Sequence, residues 1–427
     1  MPRFHIVTLF PEFFDSPLNT ALLGQAHRSG IIESSFHNPR DFSENRRVDA
    51  SPYGGGAGMV MQAEPLARAI RSIAHPGRIL LMSASGRSFE HALARELAGQ
   101  DDITILCGRY EGTDARLSQL FPVEAVSVGD AVFNGGEIPA LAVMEAVSRF
   151  VPGFMGKEES TVQESFAHGL LEHPHYTRPD MLEGIETPSV LRNGNHAEIA
   201  LWRRKASLAV TLHTRPDMLD TAPLTAADAL ALADMSHDRP GRNLSFCLLH
   251  YPVLLGEQNI GASSLTNLDI HDIIRISCSY GMGPFYVATP FEDQQHLLRE
   301  LLRHWTLGAG GKSNPDRAWA LQHVCPLASL EDAVRHLRER AAATPRLIAA
   351  TAAWPKKKNA PLTPRIVRDW CRDGPVLLCL GTAQGLAPEA LDCCAGVLRP
   401  LRFLGYNHLS VRSAAAILAD RILGDYW

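Results

Sequence analysis

Three glycine-bearing stretches hold the residues best suited to chemistry: 83–88 (SASGRS), 107–114 (CGRYEGTD) and 127–140 (SVGDAVFNGGEIPA). Each directly follows a short β-branched or apolar run. The third carries three glycines and two carboxylates but no Lys, Arg or His. Glycine lets a backbone approach a ligand closely, so peptide groups rather than charged side chains would do the binding. Such loops suit a small molecule, nucleotide-like among the options, and do not say which. The same glycines would also serve tight turns at positive φ with no ligand.

Other tempting signals fail on spacing. Residues 308–313 (GAGGKS) end like a phosphate-binding loop, but the spacing requires Gly where Thr306 stands, and the stretch follows a helical run. Residues 53–59 (YGGGAGM) miss the dinucleotide fingerprint at Met59 and follow no strand–turn unit. His173 and His175 are two apart, a spacing found in metal sites, but no further ligands flank them and a structural role is the simpler reading. Lys356, Lys357 and Lys358 read as a solvated loop, with RNA-backbone contact as the alternative. No metal-ligand set emerges from the sequence.

The elements that must carry the three loops are readable from periodicity. Strand-like runs FHIVTLF, RILLMS, ITILCGR and EAVSV alternate with helix-like AEPLARAIRSIAH, SFEHALARELAG and IPALAVMEAVSRFV. This alternation predicts βαβ units and an α/β fold with a parallel sheet covered on both faces. Ligands bind beyond the carboxyl ends of such strands, so three loops on that edge predict one site. Residues 151–169 lose the pattern and read as a linker. A helical stretch follows, then a second linker at 236–242, and αβ alternation resumes from NLSFCLLHYPVLL to the helix SVRSAAAILADRIL.

The chain has 427 residues, which suggests two or three domains. No apolar run approaches the roughly 20 residues of a membrane helix. Pro11 and Glu12 come too early for a secretory signal, so a cytoplasmic protein with reduced thiols is expected. Residues 1–235 hold 20 Lys and Arg against 29 Asp and Glu, while 236–427 hold 21 against 17. The acidic first part does not advertise nucleic acid, and the second is only mildly permissive.

Seven motifs in order nevertheless carry a resemblance: LFPEFF, SPYGGGAGM, CGRYEGTDAR, SVGDAVFNGGEIPA, SRFVPG, GLLEHPHYTRP and LRNGNHAEIALWRRKASL. From about Arg3 to Met235 the chain resembles the bacterial tRNA (guanine-37-N1)-methyltransferases. The resemblance implies a SPOUT fold with a trefoil knot at 1–155, a flexible linker at 156–169 and a helical tRNA-binding domain at 170–235. It implies S-adenosylmethionine in the knot, held by Gly108, Val128, Gly129, Asp130, Ala131, Val132 and Phe133. Ser83, Gly86, Tyr110, Glu111, Gly135 and Gly136 would complete the pocket. A cationic sulfonium suits a loop without basic residues.

Guanine N1 is a poor nucleophile until its proton leaves, so the reaction needs a base near N1 and a cation near O6. The family's Arg maps onto Arg149. Its linker Asp falls on Glu164, a carboxylate one methylene longer. The resemblance further implies a homodimer with sites at the subunit interface. Trp202 with the basic Arg203, Arg204 and Lys205 is a candidate grip on tRNA. Whether a divalent cation assists is left open.

The second half, 243–427, is similar to a family of SAM-dependent RNA methyltransferases, also SPOUT-like. LLHYPVL, TNLDIHDIIRISCSYGM and LRPLRFLGYNHLSVRSAAAILADRIL carry the similarity, while LGTAQGL departs from the usual GTGWGL at Ala383 and Gln384. Candidate cofactor positions are Gly381, Gly385, Leu401 and Ser410. Asn267, Asp269, His271, Asp272, Arg275, Asn407 and Arg412 are candidate RNA or catalytic contacts, although NLDIHDI could simply start a helix. The expectation is a fusion of two modules. The second either methylates a further RNA position or serves as a silent RNA-binding or dimerising platform.

Overall fold

The computed structural model describes residues 2–156, 164–235, 240–256, 259–352, 361–402 and 406–424. Lys356 to Lys358 lie outside the described residues, as do 157–163 and 236–239 of the two linkers. The chain divides into two compact units, Met1–Thr177 and Arg178–Trp427.

The first unit is built on five parallel strands: β1 (Arg3–Val7), β2 (Glu33–His37), β3 (Arg78–Ser88), β4 (Asp102–Cys107) and β5 (Val123–Ser127). Their order is β2-β1-β4-β3-β5, so the first strand lies inside the sheet and the order of strand addition reverses beside it. Alternation along each strand feeds two apolar layers. Phe4, Ile6, Leu80, Met82, Ile103 and Ile105 pack against α2 (His91–Ala98) and α3 (Glu137–Ser148). Val7, Ile79 and Leu106 face α1 (Ala63–Arg71) on the other side. Each fully buried aliphatic side chain of this kind stabilises the fold by roughly 1.5–3 kcal/mol.

The second unit opens with α4 (His196–Thr214) and α5 (Ala226–Asp234). Asn195 caps α4 by accepting from the amides of Ala197 and Glu198, and Thr225 with Asp228 forms a reciprocal capping box on α5. A six-stranded parallel sheet follows: β6 (Leu244–Leu249), β7 (Phe285–Ala288), β8 (Val324–Leu327), β9 (Arg346–Ala349), β10 (Val376–Gly381) and β11 (Gly396–Val397). The order is β8-β7-β6-β10-β9-β11. Helices α6 (Asn267–Ser279), α7 (Pro364–Asp373) and α8 (Val411–Leu423) bury Ile270, Ile273, Val367, Leu418 and Ile422 on one face. Cys247, Leu249, Tyr286 and Cys379 fill the opposite layer. All eight cysteines are free thiols.

Candidate active site

In the first unit the three glycine-bearing loops converge as neighbouring strands require. The register of β3 against β5 slips between Met82 and Arg87, which lifts residues 83–86 off the ladder. A Cβ on Gly86 would stand 2.3 Å from the Val126 nitrogen, so this bulge rests directly on β5 backbone. The loop after β4 is stitched to the loop after β5 by the Gly136 amide donating to the Gly108 carbonyl at 2.8 Å. A Cβ on Gly136 would meet the Cys107 Cα at 2.6 Å. On its other side the same loop is tied to the glycine-rich 53–59 stretch. The Glu111 amide donates to Met59 O, and the Glu111 side chain lies on Gly58.

Ser83, Gly86, Gly108, Tyr110, Glu111, Gly135 and Gly136 thus sit on loops that touch one another or a shared strand. Gly129, Asp130, Ala131, Val132 and Phe133 form the exposed tip of the third loop, with Val128 half-buried at its root. Val132 is 90% exposed, so this tip has no apolar cover within the chain. The arginines of these loops are turned elsewhere. Arg87 reaches Glu124 at 2.9 Å, and Arg109 Nη2 lies 2.9 Å from Glu137 Oε2. Asp130 and Glu111 therefore leave the loop surface acidic, which suits a cationic ligand.

Sequence reasoning missed the support behind these loops. Glu137 is buried and accepts from Thr8 Oγ1 at 2.8 Å, while the Arg109 guanidinium stacks on Phe10 at 4.5 Å. The pair joins the start of α3 to the β4 loop and the end of β1. Its members are separated by more than twenty residues, so no local pattern announces it.

Arg149 and Glu164 form an ion pair in the same chain. Arg149 caps the carboxyl end of α3, the helix whose amino end is capped by Gly136. At 1.5 Å per residue, the two caps are roughly 20 Å apart. Beside the pair, His91 stacks edge-on against Phe150 at 5.0 Å and lies 6.4 Å from Phe166. Burial lowers the His91 pKa, with Arg95 adding to the effect.

In the helical segment, Arg203 and Lys205 are exposed and Trp202 is half-buried on α4. Arg204 differs from its neighbours. Its guanidinium grips Asp228 with two hydrogen bonds, at 3.0 and 2.9 Å, locking α4 to α5. That bidentate contact holds the Asp228 carboxyl well below the usual carboxylate range.

The second unit brings all four of its candidate cofactor residues to one place. Gly381, Gly385, Leu401 and Ser410 line a single cavity of about 1030 Å³ at the carboxyl ends of β9 and β10. The volume is at the upper end of what small-molecule sites use. Gly381 is packed so tightly that a Cβ would lie 2.5 Å from the Leu386 nitrogen. Asp269, Asn407 and Arg412 also line the cavity; Asn267, His271, Asp272 and Arg275 do not. Arg412 donates to Asp269 at 2.9 Å. Ser410 caps α8, and Asn407 donates to Ala352 O at 2.7 Å. His250 is buried at the end of β6, with Nδ1 3.1 Å from Ser263 Oγ, and burial pushes its pKa down to about 4.

Residues 2–221 match the family described as tRNA (guanine-1)-methyltransferase TrmD. The chain belongs to that family. Residues 243–424 match the family described as SAM-dependent RNA methyltransferase. A tRNA (guanine-N(1)-)-methyltransferase of Nitratidesulfovibrio vulgaris is 56% identical over 426 residues, 99% of each chain. The protein of the same name from Oleidesulfovibrio alaskensis is 54% identical over the same length, again 99% of each. A third, from Geotalea uraniireducens, is 50% identical over 238 residues, which are 55% of this chain but 96% of that protein. Family members therefore occur with and without a counterpart of the second sheet.

The description of the second family names S-adenosylmethionine dependence, and the residues present in both loop systems are chemically compatible with that donor. The first presents close backbone and carboxylates; the second presents a roomy cavity with a glycine edge. Among the described residues, no cluster of three or more His, Cys, Asp or Glu side chains is placed to hold a metal ion. None of the described helices is long and apolar enough to cross a membrane.

Proposed function

We propose that the first unit transfers a methyl group to N1 of guanine 37 in tRNA, beside the anticodon, in a cytoplasmic homodimer. The carrying observation is the convergence of the three strand-end loops, with Gly86 and Gly136 in contacts that admit no side chain. In this reading the crossing of 83–88, 107–114 and 127–136 is the trefoil knot of a SPOUT fold. When bound there, S-adenosylmethionine supplies an electrophilic methyl group on a cationic sulfur.

The remaining work belongs to the chain. Glu164 takes the N1 proton, leaving the N1 electron pair to form the bond to the methyl carbon as the carbon–sulfur pair stays on sulfur. Arg149 meets the negative charge that gathers on O6. The paired groups stand at the far end of α3 from their own loop cradle, roughly 20 Å away along the helix. That separation favours a site completed by a second copy. Exposed Tyr110, Val132, Phe133 and Ile138 on or beside the cradle supply apolar surface for it.

The helical segment, with exposed Arg203 and Lys205, would hold the tRNA. The second unit is assigned as a further methyltransferase acting on RNA, because its four candidate cofactor positions share one cavity. The test is methyl transfer from labelled donor to two transcripts that differ only in guanine or adenine at position 37. Label at position 37 is expected on N1 of the guanine transcript and absent from the adenine transcript. Equal label at position 37 in both transcripts, or none there, overturns the reading.

A further inference from the structure

A second cavity in the second unit, of about 480 Å³, is lined by Thr363, Pro364 and Leu401 with five arginines: Arg365, Arg368, Arg399, Arg402 and Arg421. Pro400 completes the lining, and no carboxylate is among these residues. Arg365, Arg399 and Arg402 are exposed at its rim. The two deeper ones are held in place by backbone. Arg368 donates to the carbonyls of Ile422 and Arg421 at the end of α8, and Arg421 donates to Leu401 O at 2.8 Å. Nearby Asp369 is turned to Arg372, and Asp420 accepts from Tyr280.

Arg365, Arg399 and Arg402 bring three like charges to one rim, and an anion seated between them relieves their mutual repulsion. A guanidinium presents a fork of donors suited to phosphate oxygens, and several in a concave site match a phosphodiester chain better than a single small anion. The location narrows the choice. Arg399 and Leu401 also line the larger cavity assigned to the methyl donor, so the two share a wall.

We propose that this arginine-lined cavity anchors the backbone phosphates of the RNA substrate of the second unit, next to the donor cavity. The proposal rests on the reading of residues 243–424 as an RNA methyltransferase. Nothing in it involves guanine 37.

The test uses the full chain with a fluorescent single-stranded oligoribonucleotide, and with inorganic phosphate at constant ionic strength. The variants are the double substitution Arg365→Gln with Arg399→Gln, and separately Arg402→Gln. All three side chains are at the rim, and thermal melting confirms the fold. Two single-strand phosphate contacts account for a salt slope of about 1.4, so between 50 and 200 mM salt the wild type should lose about 7-fold more affinity than the double variant. The single variant should show about half that change in slope. Unchanged affinity and slope in folded variants overturn the proposal. Saturable phosphate binding that the double variant abolishes, with RNA affinity unmoved, overturns it in favour of a free-anion site. Methyl transfer into total RNA outside guanine 37 is measured in parallel. Its absence would count against the reading of the second unit, while the oligoribonucleotide titration still decides the anchor.

Discussion

Arg149 and Glu164 neutralise each other within one chain, at the opposite end of α3 from the glycine cradle that shares their unit. In the proposed reaction Glu164 is the base, and its ion pair with Arg149 fixes the direction of its carboxylate. It is also blocked until a substrate separates the two groups.

Replacing Glu164 by Gln should lower the single-turnover rate of guanine-37 methylation by about 10²- to 10⁴-fold, the range of a lost general base. Donor binding, followed by calorimetry, should be unchanged. Glu164→Asp should keep most of the rate. A Gln variant as fast as the wild type would remove Glu164 from the mechanism.

Mixing subunits tests the geometry. Heterodimers of Glu164→Gln with a chain carrying Gly136→Ala should recover up to half the activity per dimer if each site draws base and cradle from different copies. The recovery pattern is read against each homodimer alone, both of which should be nearly inactive.

Gly136→Ala by itself should be costly for local structural reasons. Its Cβ would stand 2.6 Å from Cys107 Cα, a backbone atom that cannot swing aside. Overpacking of this kind costs about 1–3 kcal/mol. A lowered melting temperature and weakened donor binding are expected, and the control Gly112→Ala meets no atom within 4 Å but pays φ strain at +125°. Comparing the two separates crowding from backbone conformation.

Ala383 holds φ at +52° in the loop after β10. An L side chain in that region is strained by roughly 1–2 kcal/mol. Ala383→Gly should therefore stabilise the second unit by about 1 kcal/mol after allowing for the extra freedom of an unfolded glycine. Chemical denaturation would register this as a higher midpoint. A lower midpoint would mean that the alanine methyl makes a contact worth more than the strain.

His250 predicts a pH dependence. Its folded pKa of about 4 lies below the unfolded value near 6.5, so the folded state binds fewer protons. The stabilisation is complete above pH 6.5 and is lost as pH falls from about 6.5 to 4, amounting to about 3 kcal/mol. His250→Gln should flatten the stability profile of the second unit in that window. The same slope in the variant would assign it to another group.

The strands that could be read from sequence are those with buried β-branched runs on a doubly covered sheet. β2 was not readable because ESSFH offers neither apolar alternation nor a turn signal; it is held by its ladder to β1 and by Ser35 bonding to His5. β8 contains Pro326, which argues against a central strand and is tolerated at the sheet edge. The glycine cradle was legible because close approach needs glycine at fixed chain positions. The Arg109–Glu137 pair and the five-arginine cavity were not, since their members come from elements far apart in sequence and meet only through the sheet order.

α3 acts as a gauge block. One end carries a glycine pressed on neighbouring backbone and the other carries Arg149. A single inserted residue would turn Arg149 by about 100° about the helix axis, and even four, which nearly restore its bearing, would carry it about 6 Å onward. The distance across the helix is thus set by counting residues, and side-chain adjustment cannot recover it. Selection on this stretch should tolerate exchange of one apolar residue for another while rejecting any change in length.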